Sequence, residues 1–145
     1  MTAYKGLFKP LNPHKYKGNP SRIIYRSSWE LKLMSYLDKH PDIIWWQSEE
    51  IFVPYLSPKD GKAHRYFPDF IVRKKNKDTE ETLMIEIKPF TQTQPPKQPK
   101  RQTQQYLYEA ITYATNQAKW KAAESYCKDR NWKFVILTEK ELNIK

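Results

Sequence analysis

The segment Thr82-Leu83-Met84-Ile85-Glu86-Ile87-Lys88 sets a carboxylate and an ammonium into the most apolar strand-forming stretch of the chain, and Pro89 stops it. Strand alternation sends Leu83, Ile85 and Ile87 to one face and Met84, Glu86 and Lys88 to the other. A sheet face covered by a helix does not readily accept an unpaired carboxylate or ammonium, because burying either alone is costly. Glu86 and Lys88 therefore belong at the end of a sheet, facing a cleft.

The rest of the chain supplies the layers around such a strand. Ser27 or Ser28 caps a helix whose apolar residues Trp29, Leu33, Met34 and Leu37 follow a 3.6-residue period. His40-Pro41 ends it, since proline disfavours helical geometry in the residue before it. Residues 43–55 are rich in β-formers, with Ile51-Phe52-Val53 at their heart. A turn at Pro58-Lys59-Asp60-Gly61 leads to a second strand over 65–73, and a charged turn over 75–81 leads to the third. After Pro89 a glutamine- and proline-rich loop precedes a helix predicted from about Arg101 to Asp129. Its alanines 110, 114, 118 and 122 form a small-residue seam suited to close packing on a sheet. Phe134-Val135-Ile136-Leu137 reads as a last strand buried on both sides. The expectation is an α/β domain over residues 27–145, a small mixed sheet flanked by helices. It is preceded by an extended basic N-terminal arm over residues 1–26.

Charge narrows the partner. The chain of 145 residues carries a formal net charge of +10. Residues 1–26 hold Lys5, Lys9, Lys15, Lys17, Arg22 and Arg26 without one acid, and residues 87–108 hold Lys88, Lys97, Lys100 and Arg101 with Glu86 just outside. Together the two windows hold as many cations as the whole excess. Such runs favour phosphate contact with DNA, where each neutralised phosphate releases counterions. Lys15, Lys17, Arg26, Lys88, Lys97, Lys100 and Arg101 are the candidates. Only 3 glycines occur, far apart at positions 6, 18 and 61, so no glycine-rich phosphate loop exists. The one cysteine, Cys127, makes neither an internal disulfide nor a cysteine-based zinc site, and reads as a packed helix residue. No apolar run reaches the ~20 residues of a membrane helix, and the N-terminus lacks the apolar core of a secretory leader. The expected setting is intracellular, with no membrane.

The chemistry centres on two acids. Asp69 lies in Phe67-Pro68-Asp69-Phe70-Ile71, and a hairpin of residues 65–73 with 82–88 makes it a neighbour of Glu86. Adjacent carboxylates repel unless a proton or a cation lies between them. An oxygen-ligand Mg²⁺ site meets that need, held by Asp69, Glu86 and the Ile87 carbonyl. Lys88 would orient the attacking water or stabilise charge on the phosphate. Glu30, at the start of the first helix, would bind a metal-bound water or complete a second metal site, and Arg26 would meet the phosphate or pair with Glu30. Other features read as ordinary structure. Glu49 and Glu50 are surface acids, and His64 is a loop histidine. Trp45, Trp46, Trp120 and Trp132 are core residues, and the glutamines after Pro89 form a polar loop. Gln117 and Lys121, one turn apart, are expected to face the cleft.

Pro68-Asp69 followed by Glu86-x-Lys88, with Glu30 on the preceding helix, resembles the restriction-endonuclease-like superfamily of metal-dependent nucleases. A longer likeness runs from about residue 4 to 142. It rests on Tyr25-Arg26-Ser27-Ser28-Trp29-Glu30, Pro54-Tyr55, Arg65-Tyr66-Phe67, Glu86-Ile87-Lys88-Pro89, Thr93-Gln94-Pro95-Pro96 and Lys119-Trp120-Lys121-Ala122-Ala123. In these stretches the chain resembles the small head completion proteins of T-even-type tailed phages. The resemblance implies a DNA endonuclease using Mg²⁺, with Mn²⁺ as a substitute. It would act in the host cytoplasm or on the virion after genome packaging, beside capsid or neck proteins. Three other readings stay open: a DNA-end or capsid-vertex binding protein that cuts little, a nuclease for junctions or transposon ends, and a basic α/β protein that binds RNA. A homodimer could present two sites to two strands.

Overall fold

The computed structural model describes residues 5–143. In chain order the strands and helices are β1 (Gly6–Phe8), β2 (Ile23–Tyr25), α1 (Ser28–Lys39), β3 (Ile43–Gln47), β4 (Val53–Leu56), β5 (Ala63–Tyr66), β6 (Phe70–Lys75), β7 (Glu80–Ile87), α2 (Gln104–Asp129) and β8 (Lys133–Leu137). The main sheet runs β3-β6-β7-β8. Its first two pairings are antiparallel, and β8 lies parallel to β7 after the crossover through α2. This is a mixed α/β fold, a small sheet flanked by helices.

Alternation along β6 and β7 divides the sheet into two buried faces. Phe70, Val72 and Ile85 pack with Trp46 against Leu33, Met34 and Leu37 of α1. Ile71 and Met84 face the other way, against Trp120, Ala123 and Cys127 of α2. Each large apolar side chain so buried contributes about 1.5–3 kcal/mol. The hairpin β4–β5 closes the α2 side with Val53 and Tyr66. Among the described residues no helix is long and apolar enough to cross a membrane.

The helix α1 starts where the serines point. Ser27 is the cap, its hydroxyl oxygen accepting from the Glu30 amide at 3.1 Å. The Glu30 carboxylate returns to the Arg26 amide at 3.3 Å, a relative of the reciprocal capping box. Helix α2 begins at Gln104 rather than Arg101, because Thr103 Oγ1 accepts from the Tyr106 amide and fixes the first turn.

Four expectations about the body are corrected. The apolar stretch 43–55 is two strands, with Ile51 and Phe52 in the connection and Glu49 at φ 52°. The stretch 65–73 is also two strands, belonging to different sheets. Pro68 has no N–H for a ladder and forms the crossing point. The buried stripe of α2 is Asn116, Trp120, Ala123 and Cys127, whereas Ala114 is exposed. The large Trp120 ring, not the alanine seam, sets the helix rotation. Strand β8 is a half-buried edge strand, not one covered on both sides.

The basic N-terminal stretch is folded onto the body, not extended; its first four residues lie outside the described residues. Strands β1 and β2 pair, and Phe8, Tyr16 and Ile23 enter the core beside α1. The prolines and Gly18 lie in the connections between these three anchors. The buried Asp38 carboxylate accepts from the amides of Leu11 at 2.8 Å and Asn12 at 3.0 Å. The Lys17 amide donates to the Trp46 carbonyl at 2.8 Å, covering the outer edge of β3.

Candidate active site

The β6–β7 register sets Phe70 opposite Ile85 and so brings Asp69, one residue earlier, level with Glu86. The Ile87 amide donates to Asp69 Oδ2 at 2.7 Å. On the other side of Glu86, the Tyr66 hydroxyl donates to Oε2 at 2.7 Å. Lys88 Nζ stands 3.8 Å from Glu86 Oε1. The Lys88 amide donates to the Leu137 carbonyl at 3.0 Å, which anchors the end of β7 to β8. A cleft of about 430 Å³ opens here, lined by Arg26, Glu30, Asp69, Glu86, Ile87 and Lys88 among others. The end of the sheet thus gathers the acids and the lysine, as the charge pattern of β7 requires.

The electrostatics follow from crowding. Burial, and then the negative charge of Glu86, push the Asp69 carboxyl well above the usual carboxylate range, against the pull of the Ile87 amide. Burial raises Glu30, with Glu49 and Glu86 adding to it and Arg26 opposing it. Glu49 is raised by burial and drawn back by Arg26, with which it forms an ion pair. Its left-handed backbone is an uncommon conformation for a non-glycine residue. Lys119 of α2 is lowered by burial and by the neighbouring charge of Lys88, and Glu86 offsets this in part.

Three participants escape the sequence pattern. Tyr66 precedes the Phe67-Pro68-Asp69 crossing and is directed at Glu86 from β5. Glu49, expected as a surface acid, pairs with Arg26 at the cleft. Lys119, rather than Gln117 or Lys121, is the α2 residue that feels the charges of Lys88 and Glu86. Gln117 and Lys121 line a separate depression with Trp120 and Ile136, because positions two apart on a helix face different ways. Glu50 accepts from the Tyr16 hydroxyl at 2.5 Å, and His64 pairs with Asp60 at the surface.

The remaining candidate cations are dispersed. Lys97, Lys100 and Arg101 are exposed on the segment between β7 and α2. Lys17 Nζ stands 4.3 Å above the Trp45 ring. Lys15 Nζ donates to the carbonyls of Asp38 at 3.0 Å and His40 at 2.7 Å, at the C-terminal end of α1.

Among the described residues no group of three or more His, Cys, Asp or Glu side chains is gathered to hold a metal ion. The oxygens at hand are those of the Asp69 and Glu86 carboxyls and the Ile87 main chain. Hard divalent cations take such donors, and Mg²⁺ usually combines one or two carboxylates with water and phosphate oxygens.

A mixed α/β fold with a small sheet flanked by helices is consistent with TnsA-like and restriction-endonuclease-like architecture. The family model described as TnsA-like endonuclease N terminal matches residues 40–139, which include Asp69, Glu86 and Lys88 but not Arg26 or Glu30. Across 141 residues the chain is 43% identical to the head completion nuclease of Enterobacteria phage T4, covering 94% of this chain and 92% of that protein. The chain belongs to the head completion nuclease family, built on a TnsA-like endonuclease domain.

Proposed function

We propose that the protein is a Mg²⁺-dependent DNA endonuclease of the Pro-Asp…Asp/Glu-x-Lys type, acting in phage head completion after packaging. The observation that carries this reading is the packing of Asp69 against Glu86 with Lys88 beside them, at the mouth of one cleft. Asp69, Glu86 and the Ile87 carbonyl would hold the cation. When bound, it supplies charge for the phosphate oxygens and lowers the pKa of a coordinated water.

The chain's own groups do the rest. The Ile87 amide fixes the orientation of Asp69, and the Tyr66 hydroxyl fixes that of Glu86. Lys88 neutralises negative charge growing on the phosphate as the P–O bond breaks, and Lys119 adds a second positive charge behind it. Arg26, exposed on one side and paired with Glu49 on the other, receives the neighbouring phosphate. Glu30 keeps Arg26 in place through its main chain and faces water entering the cleft.

The test is cleavage of plasmid DNA with Mg²⁺ or Mn²⁺, with and without chelator. Asp69→Ala and Glu86→Ala abolish cutting, and Lys88→Ala lowers kcat about 10²–10³-fold, the usual loss for one charge-stabilising donor. Retained cutting in an Asp69→Ala/Glu86→Ala double variant refutes the site. Tight binding of DNA ends without any cleavage favours the capsid-vertex or DNA-end binding reading instead. The TnsA-like match keeps a junction or transposon-end substrate in the cleavage panel. The likeness to a head completion nuclease along nearly the whole chain favours packaged DNA, with capsid or neck proteins as neighbours.

A further inference from the structure

Beside the cleft lies a second groove of about 510 Å³, between the turn Phe90–Thr93 with its following residues and the exposed half of α2. Its volume is within the roughly 300–1,000 Å³ of small-ligand sites. Gln92 lines both the groove and the cleft, so the two adjoin. Their chemistry differs. The cleft is charged, with Arg26 and Lys88 to meet phosphate. The groove offers the amides of Gln92, Gln94 and Asn116 and the rings of Tyr108 and Tyr113; Glu109 is the charged side chain in its lining. A phosphate would meet a carboxylate there and no cation. A nucleobase suits this lining: it has a flat π-face for a tyrosine and an edge of donors and acceptors for amides. Tyr108 is 66% exposed, so packing does not account for its ring.

We infer that this groove is a nucleobase pocket, and that the DNA cut at the neighbouring cleft carries an unpaired nucleotide. The inference rests on the nuclease reading and names its substrate class. A base inside a duplex is held in the stack, and only an unpaired or extruded one can enter a side pocket while its phosphate remains at the cleft. Single strands, frayed ends and branch points present such a base; an intact blunt duplex does not.

The test is binding by the full chain in chelator, so that no cutting is needed. The probes are a single-stranded oligonucleotide containing 2-aminopurine and its blunt duplex. Tyr108→Ala weakens single-strand binding about ten-fold, the usual effect of losing one base–aromatic stack, and leaves duplex binding unchanged. It also removes the 2-aminopurine fluorescence change, and Tyr108→Phe keeps both. Gln94→Ala, on the opposite wall, weakens the single strand alone. Equal losses on both probes, or none with either variant, overturn the pocket. Free deoxyadenosine monophosphate bound as tightly as the oligonucleotide overturns the assignment to DNA. Failure of the nuclease reading would look different: no cutting by wild type in the cleavage panel, whatever these affinities are.

Discussion

Asp69 releases its proton at a higher pH in the folded protein than in the unfolded chain, because burial and Glu86 both disfavour its charge. A raised folded-state value means that the folded state holds this proton more tightly. The corresponding stability is present below the ordinary aspartate value of about 4 and is lost as pH rises through the folded value. The contribution of this group to the stability of metal-free protein is therefore expected to fall from about pH 4 upward until the folded-state value is passed, by at most about 1.4 kcal/mol per pH unit. Asp69→Asn removes that dependence and raises Tm at neutral pH. If Asp69 holds Mg²⁺ as proposed, added Mg²⁺ raises Tm of the wild type and not of the variant, by ligand linkage. Thermal melts at pH 5 and 8, with chelator or Mg²⁺, check all three; a wild-type Tm indifferent to each would refute them. Cys127 makes a simpler case. Its thiol is buried and its pKa is raised to about 11, so a thiol-titrating reagent at pH 8 should find none until denaturant is added. Glu86 and Lys88 are legible in the sequence because strand alternation is local and the charges break an apolar run, and Asp69 because it follows Pro68 directly before β6. Tyr66, Glu49 and Lys119 are not, because each comes from a different part of the chain and only the fold brings its charge or hydroxyl under the influence of Glu86.

Among the elements, α1 is legible nearly to the residue. Its cap, its 3.6-residue apolar period and Pro41 are all local signals. Apolar runs mislead wherever composition alone has to locate a break, as at Ser48–Phe52 and at Pro68. The N-terminal segment is hidden for a related reason: Phe8, Tyr16 and Ile23 are far apart and follow no period, so nothing local announces their burial. Asp38 tests how the segment is held. Asp38→Ala removes the acceptor for two main-chain amides and should cost about 3 kcal/mol, with Asp38→Asn costing less. Urea denaturation reads the difference, and an unchanged midpoint for the alanine variant would refute the role. Helix α2 has two unequal halves. Trp120, Ala123 and Cys127 pin its C-terminal half, whereas Leu107, Tyr108 and Ile111 are exposed. Hydrogen exchange should therefore be faster at the amides of 107–113 than at those of 120–127, by local opening. Uniform protection along the helix would contradict this.

At the scale of the molecule, the α/β class and the two helices with a last strand after them are legible, while the two N-terminal strands and the three-way division of strands are not. The charge excess is legible in amount and only partly in use. Lys15 is turned to carbonyls, whereas Lys97, Lys100 and Arg101 remain exposed. If the latter three follow DNA, their combined replacement by alanine lowers the slope of log affinity against log salt by up to about 3 on duplex, near 0.9 per phosphate contact. Affinity measured across a series of NaCl concentrations gives that slope, and an unchanged one excludes them. The parallel pairing of β7 with β8 has a consequence for the order of assembly. Lys88 is fixed through the carbonyl of Leu137, which arrives only after the whole of α2. A ribosome has thus delivered both acids well before the chain can set the lysine beside them, so a nascent chain carries the charged residues of the cleft without their geometry.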